Sequence, residues 1–254
     1  AITTNGRVGI VKWEFAGQQP GYLEKFLPNG LEGTTIAELI PIPKNQNQDL
    51  SLGLLSSDGR FKRIAINEVL ELSGRASTIV KLKDDVKLKA AIICKENESL
   101  ILLSNLGRVL RLQINDTTFP IMSKLAQGQM TMKLFPKESI IGAVANAKAN
   151  SESILIVTQT GQLIKQKVNS FRLCQRGDLG QMLINFNTQA TKKDEIVDIS
   201  TGNGIIGVIS NEQRFGKINA DELKETTYRK SILSRIETRE NEKISKLVPL
   251  IQSF

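Results

Sequence analysis

Short runs of alternating apolar and polar residues recur along this chain. Leu110-Arg111-Leu112-Gln113-Ile114 is typical. Alternation over that length predicts a half-buried strand. An apolar run, Leu100–Leu103, stands before it. Between them lies Ser104-Asn105-Leu106-Gly107, rich in residues that tolerate the left-handed backbone of tight hairpins. The same hairpin is predicted at five places. Its turn position falls on Gly6, Gly59, Gly107, Gly161 and Gln213, at intervals of 53, 48, 54 and 52 residues. Further leading strands are predicted at Ser51–Leu55, Ile154–Val157 and Ile205–Ile209. A second set follows each turn at Thr35–Ile40, Thr78–Leu82, Met130–Leu134, Gln181–Asn185 and Ile232–Ile236. A third set lies at Leu88–Ile93, Ser139–Val144, Glu195–Ile199 and Ile244–Leu250. No helical period is sustained, although Asp221–Lys224 reads as one helical turn.

Four short strands per repeat of this length is the pattern of propeller blades. Five repeats, roughly 1–50, 51–98, 99–152, 153–204 and 205–254, fill the 254 residues as one expected domain. No apolar run precedes Ile2, and Lys246–Ile251 has no turn after it. The expectation is a fragment of a longer subunit whose two ends share a blade and close the ring. Phe15, Phe61, Phe119, Phe171 and Phe215 recur near the strands and are expected to pack between blades.

Charge sharpens this picture. The chain has 34 Lys+Arg against 26 Asp+Glu, a net charge of +8. The six residues after each turn make 30 positions. They hold 11 basic residues and no acid, against about four basic residues expected from 34 in 254. The same point of every blade therefore carries Lys or Arg. Such a belt suits a phosphate backbone, where cations release condensed counterions and position the protein without reading sequence. Edge strands also carry Lys as protection against aggregation, but protection would accept Glu, and none is present. With 5% aromatic residues and one Trp, duplex is favoured over single strands.

Other chemistries are narrowed by composition. The chain has no histidine and two cysteines, Cys94 and Cys174. His-based triads, His–zinc sites and a disulfide framework are excluded within it. Cys94 reads as core. Cys174 sits in a basic loop whose arginines are expected to lower its pKa. Gly202-Asn203-Gly204-Ile205-Ile206-Gly207 fits a dinucleotide-binding pattern but lies at a turn and strand of the repeat. The acid pairs Asp84-Asp85, Asp194-Glu195 and Glu240/Glu242 read as solvated turns. No apolar run approaches the ~20 residues that cross a bilayer.

Ser56-Ser57-Asp58-Gly59-Arg60 and Ser104-Asn105-Leu106-Gly107-Arg108, with their Lys/Arg strands, resemble the C-terminal DNA-wrapping domain of bacterial type IIA topoisomerase A subunits. Gly74-Arg75 followed by Ile79–Lys83 and Asp84-Asp85 fits the same family. The resemblance spans essentially the whole chain. It implies an all-β β-pinwheel, a propeller-like disc of about five four-stranded blades that exchange strands. It also implies duplex DNA bent or wrapped around a basic rim. The expected phosphate contacts are Arg7, Arg60, Lys62, Arg63, Arg108, Arg111, Lys165, Lys167, Arg214 and Lys217, with Arg75, Arg172 and Arg176 on linking loops. Lys165 and Lys167 should share one strand face, and Arg60 and Lys62 another, with Arg63 opposed. The domain itself is expected to be non-catalytic and free of cofactors. ATP and Mg²⁺ would act in the catalytic remainder of the parent protein and in its ATPase partner, in the bacterial cytoplasm. The basic Gly-rich loop of full gyrases, Gln-Arg-Arg-Gly-Gly-Lys-Gly, has no counterpart in Gln18–Gly33. The nearest string is Gln175-Arg176-Gly177-Asp178-Leu179-Gly180. A gyrase A role and a topoisomerase IV role both remain open, as does a propeller-like protein-interaction scaffold.

Overall fold

The structure is a computed structural model that describes residues 1–11, 23–42, 50–72, 75–146, 152–183, 194–226 and 234–249. Phe15, Gly74, Ile232 and part of Gln18–Gly33 lie outside them. The first repeat supplies β1 (Ile2–Thr3), β2 (Arg7–Val8) and β3 (Ile36–Glu38). The second supplies β4 (Ser51–Ser56), β5 (Arg60–Ala65), a short helix α1 (Ile66–Leu70), β6 (Ser77–Thr78) and β7 (Leu88–Cys94). The third holds β8 (Ser99–Ser104), β9 (Arg108–Gln113), β10 (Gln129–Met130) and β11 (Ile140–Asn146). The fourth holds β12 (Ser153–Thr158), β13 (Gln162–Lys167), β14 (Gln181–Met182) and β15 (Ile196–Thr201). The fifth holds β16 (Ile205–Ser210), β17 (Phe215–Asn219), β18 (Ser234–Arg235) and β19 (Ile244–Pro249).

These strands form five antiparallel sheets in the orders β3-β1-β2-β6, β7-β4-β5-β10, β11-β8-β9-β14, β15-β12-β13-β18 and β19-β16-β17. The first four sheets each take one strand from the following repeat. The fold is therefore all-β and propeller-like, with blades that exchange strands. Among the described residues the fifth sheet has three strands. The second set of apolar runs is shorter than the sequence pattern suggests. β6, β10, β14 and β18 are two-residue strands. Thr35–Ile40 behaves differently, because β3 pairs with β1 of its own repeat and so matches the third set. Among the described residues β19 pairs with β16, and β1 with β2 and β3; the last residues of the chain, where the two ends are expected to meet, lie outside them.

Strand exchange also decides how the main chain divides. Two compact units form, Ala1–Glu96 with Asn115–Met130, and Asn97–Ile114 with Thr131–Phe254. The first unit claims part of the third repeat because β10 pairs with β5. Its core gathers Leu52, Leu54, Ile64, Ile66, Ile79 and Leu88. Phe61 and Phe119 meet there edge to face, with centroids 4.9 Å apart. In the second unit β11 packs on β15, and β15 on β19. Ile101, Ile154, Ile156, Phe171 and Ile199 form one cluster, and Leu155, Val157, Ile206 and Leu247 another. The leading strands β4, β8 and β12 are buried at every position. That explains why they read as continuous apolar runs rather than alternating ones. Phe215 departs from the expected packing, for it is 55% exposed. No described helix is long and apolar enough to cross a membrane.

Candidate nucleic-acid interface

Each blade begins with the same small device. Thr3, Ser56, Ser104, Thr158 and Ser210 end the leading strands. Their carbonyls accept hydrogen bonds from the amides of Gly6, Gly59, Gly107, Gly161 and Gln213, each 3.0 Å long. Four of their hydroxyls also accept from the amides of Arg7, Arg60, Arg108 and Gln162. The turn residue must be left-handed. Gly6, Gly59, Gly107 and Gly161 have φ of 81, 82, 81 and 86°, and Gln213 has 58°. Glycine meets this demand without the side-chain clash that any other residue suffers.

The first cation after the turn is thereby aimed at the linker that delivers the exchanged strand. The Arg7 guanidinium donates to the carbonyls of Gly30 and Ala76. Arg60 donates to the carbonyl of Gly128 at 3.3 Å and lies 3.5 Å from Asp58. Arg108 is 4% exposed. It donates to the carbonyls of Leu179 and Lys133, forms a two-point contact with Glu138, and lies 4.2 Å from the centre of the Phe135 ring. Burial pushes the Glu138 carboxyl up, but Arg108, the Phe135 amide and Ser104 outweigh it and hold the group below its usual range. Arg214, the counterpart in the fifth repeat, is half exposed and pairs with Glu242.

Cations further along the same strands are also used internally. Lys62 is 1% exposed, and its Nζ donates to the carbonyls of Ile79 and Lys124. Burial lowers its pKa to about 8, against a smaller opposing pull from Glu68. Arg63 ties Ser51 Oγ to the Phe119 carbonyl and also meets Glu96 and Asp116. Arg111 repeats the arrangement with Ser99 Oγ at 3.1 Å and the Phe171 carbonyl at 3.1 Å, and burial lowers its pKa. Lys165 donates to the Ala220 carbonyl at 2.9 Å. Lys62, Arg63, Arg108 and Lys165 are thus buried, with their donors on main chain or partner side chains. Lys165 and Lys167, two apart on β13, differ in exposure: Lys165 is buried while Lys167 is exposed.

Among the expected phosphate contacts, a smaller set faces solvent. Arg75, Lys167, Arg172, Arg176, Arg214 and Lys217 are exposed, although Lys167 lies 3.0 Å from Glu225. Arg172 and Arg176 bracket a loop that the fold holds at both ends. The Arg172 amide donates to Gln181 Oε1 and the Cys174 amide to the Arg111 carbonyl, each at 2.8 Å. The Gly177 amide reaches the Thr131 carbonyl at 2.7 Å. Cys174 corrects an expectation here, because burial raises its pKa and outweighs the lowering influence of Arg172.

Two acids, Asp194 and Glu242, depart from the expectation of solvated turns, and Glu138, which the sequence pattern did not single out, joins them. Glu138, Asp194 and Glu242 are buried, and each closes the turn before the last strand of its repeat. Asp194 accepts from the amide and hydroxyl of Thr160, and Glu242 accepts from the Arg239 amide and Arg214. Their signal is positional, since each lies about 30 residues after the turn residue it serves. Asp84 and Asp85 are exposed as expected. No group of acids, Cys or His suited to a metal occurs among the described residues. Gly202–Gly204 forms the bend between β15 and β16, so the dinucleotide reading fails for want of a following helix.

A repeated hairpin, held by an arginine in the first three repeats to the linker of the next repeat's strand, defines a strand-exchanged, propeller-like fold. The sequence profile of the family described as DNA gyrase C-terminal domain, beta-propeller, matches residues 54–95, 98–146 and 152–203, more than half of the chain. The chain belongs to that family. It is 29% identical over 196 residues to the A subunit of DNA topoisomerase 4 from Synechocystis, covering 72% of this chain and 21% of that protein. It is 24% identical over 193 residues to the A subunit of DNA gyrase from Rickettsia prowazekii, covering 73% and 20%. The chain thus spans about a fifth of the length of these curated relatives. Among solved structures, a DNA gyrase A C-terminal domain aligns with a TM-score of 0.80 at 18% identity, over 98% of this chain and 81% of that one. The C-terminal domain of DNA topoisomerase IV aligns with a TM-score of 0.65 at 17% identity, over 78% and 60%. At these identities the likeness concerns the fold.

Proposed function

We propose that this chain is a non-catalytic module that bends or wraps duplex DNA and presents a segment for strand passage by a type IIA topoisomerase. The observation that carries the reading is that six of the expected phosphate contacts, Arg75, Lys167, Arg172, Arg176, Arg214 and Lys217, are exposed on strands and linkers of a family fold. Phosphate contact with these side chains would be indifferent to sequence and steeply salt dependent. Arg7, Arg60 and Arg111, which are half-buried, would add their positive field near the surface. Lys62, Arg63, Arg108 and Lys165 would act indirectly, by holding the linkers that carry the exposed set.

In this reading the parent is an ATP-dependent type II topoisomerase working in the bacterial cytoplasm. The chain's partners are duplex DNA, the catalytic remainder of its own parent protein and a separate ATPase subunit. ATP and Mg²⁺ would be bound by those parts, and this module would use no cofactor. A gyrase A role requires handed wrapping. The lack of a basic Gly-rich loop in Gln18–Gly33 favours a second reading, a topoisomerase IV-type module that bends DNA without strong chirality.

Ligation of nicked circular duplex in the presence of the protein tests both. A shift in linking number supports a gyrase-type wrap. Tight binding without a shift supports the topoisomerase IV-type bend. Failure to bind duplex at low salt overturns the proposal and leaves a protein-interaction scaffold.

A further inference from the structure

Leu173 is 53% exposed, and nothing in its loop lets it retreat. Phe171, two residues earlier, is buried at 1% exposure. The amides of Arg172 and Cys174 are both bonded, and Leu173 itself forms a parallel bridge with Arg111. The Gln175 amide donates to Asp178 Oδ2 at 3.1 Å, and the Asp178 amide returns to the Gln175 carbonyl at 3.2 Å. A flexible loop would fold its leucine back onto the protein. This loop is fixed, and it holds the side chain in water.

The neighbours of Leu173 say what would cover it. Arg172, Gln175 and Arg176 are exposed on either side. Asp178, the one acid of the loop, is turned inward onto the Gln175 amide. An apolar tip between arginines and a glutamine complements a narrow groove walled by phosphates and floored by bases. The minor groove is about 6 Å wide. Proteins that bend DNA there insert Leu, Ile or Met between base steps and flank the wedge with Arg or Gln. We infer that Leu173, on the Arg172–Arg176 loop, is a wedge that enters the minor groove and kinks duplex DNA. The inference rests on the DNA-binding reading above and adds a kink to it.

Ile121 supplies an internal control. It lies 52 positions earlier, forms the equivalent bridge to Arg63, and is 43% exposed. Its neighbours are Pro120 and Met122 rather than arginine, so it lacks the phosphate contacts a wedge needs.

The test uses the 254-residue chain and end-labelled duplexes of about 40 base pairs, with and without a central mismatch. Energy transfer between the ends reports bending. A mismatch unstacks its step in advance, so the unsubstituted protein should prefer the mismatched duplex roughly tenfold. Leu173→Ala should bind the matched duplex within about threefold of the unsubstituted protein, with the same salt slope. It should lose the mismatch preference and the bend, while Ile121→Ala keeps both. Retention of preference and bend in Leu173→Ala overturns the wedge and leaves DNA binding standing. So does an unsubstituted protein that binds both duplexes equally without bending them. Failure of the unsubstituted protein to bind either duplex at low salt removes the DNA reading itself.

Discussion

The third and fifth repeats are built on the same hairpin, yet they use its cations in opposite ways. In the third, β9 is covered by β14, and Arg108 and Val109 are buried at 4% and 1% exposure. In the fifth, β17 has only β16 beside it among the described residues. There the Arg214 side chain is 46% exposed and Phe215 55%. Both arginines reach an acid, Glu138 and Glu242, from the turn before the last strand of the repeat. The difference is the exchanged strand. It brings main-chain carbonyls to the arginine, excludes water, and converts a surface cation into an internal clamp. An Arg at the same repeat position can therefore serve the fold in one blade and face a ligand in another.

The largest effect should come from breaking the clamp. Arg108→Met leaves Glu138, whose side chain is fully buried, without its cation. Urea unfolding should show a loss of about 3–5 kcal/mol, the usual result of stranding one member of a buried pair. Arg108→Met combined with Glu138→Met should recover much of that loss. Arg214→Met should give a far smaller change, because that guanidinium keeps access to water.

The turns sharpen the same contrast. Gly107 has φ of 81°, so Gly107→Ala should destabilise by about 1–2 kcal/mol. Gln213 occupies the equivalent left-handed position at 58°, so Gln213→Gly should stabilise by about 0.5–1 kcal/mol. Thermal melts of both variants check the pair.

Acid should find the clamp next. The Glu138 carboxyl is held below its ordinary value in the folded state. The unfolded chain therefore binds the proton more readily, and the Glu138 contribution is complete above about pH 4.5 and is lost as pH falls through the folded-state value. Unfolding free energy measured from pH 6 to pH 3 should fall less steeply in the Arg108→Met, Glu138→Met double variant. The smallest change is expected at the open blade. Lys217→Ala should leave stability within about 0.5 kcal/mol and reduce the slope of log affinity for duplex against log salt by about one.

Much of the fold was legible because it follows from local chemistry repeated five times. The Ser/Thr-x-x-Gly turn needs only its own residues, and it formed wherever it was written. The leading strands β4, β8 and β12 were recognisable because full burial demands unbroken apolar runs. The exchanged strands were poorly resolved in the sequence. Two residues, such as Gln129-Met130, are too few to show a period, and their partners are remote, with Gln129 facing Phe61 across the sheet. The site was legible as a stripe of charge but not as a set of contacts. Lys62 and Lys217 look alike in a strand pattern, yet one is 1% exposed and the other faces solvent. Asp194 and Glu242 read as solvated and Glu138 stood out in no pattern, because an acid in a polar turn is usually solvated, and only the fold around the turn makes these three internal.

The sequence by itself determined the five hairpins, the positions of their left-handed turns and the enrichment of cations just beyond them. Each depends on residues within a few positions of one another, where backbone sterics and side-chain period act directly. Tertiary structure alone decided which cations remain available. Strand exchange brings carbonyls and carboxylates from distant linkers onto Lys62, Arg63, Arg108 and Lys165 and removes water from them. A charge buried that way must be bonded internally, so the same residue type that marks a polyanion surface in the sequence becomes, in these blades, the fastening that holds the surface in place.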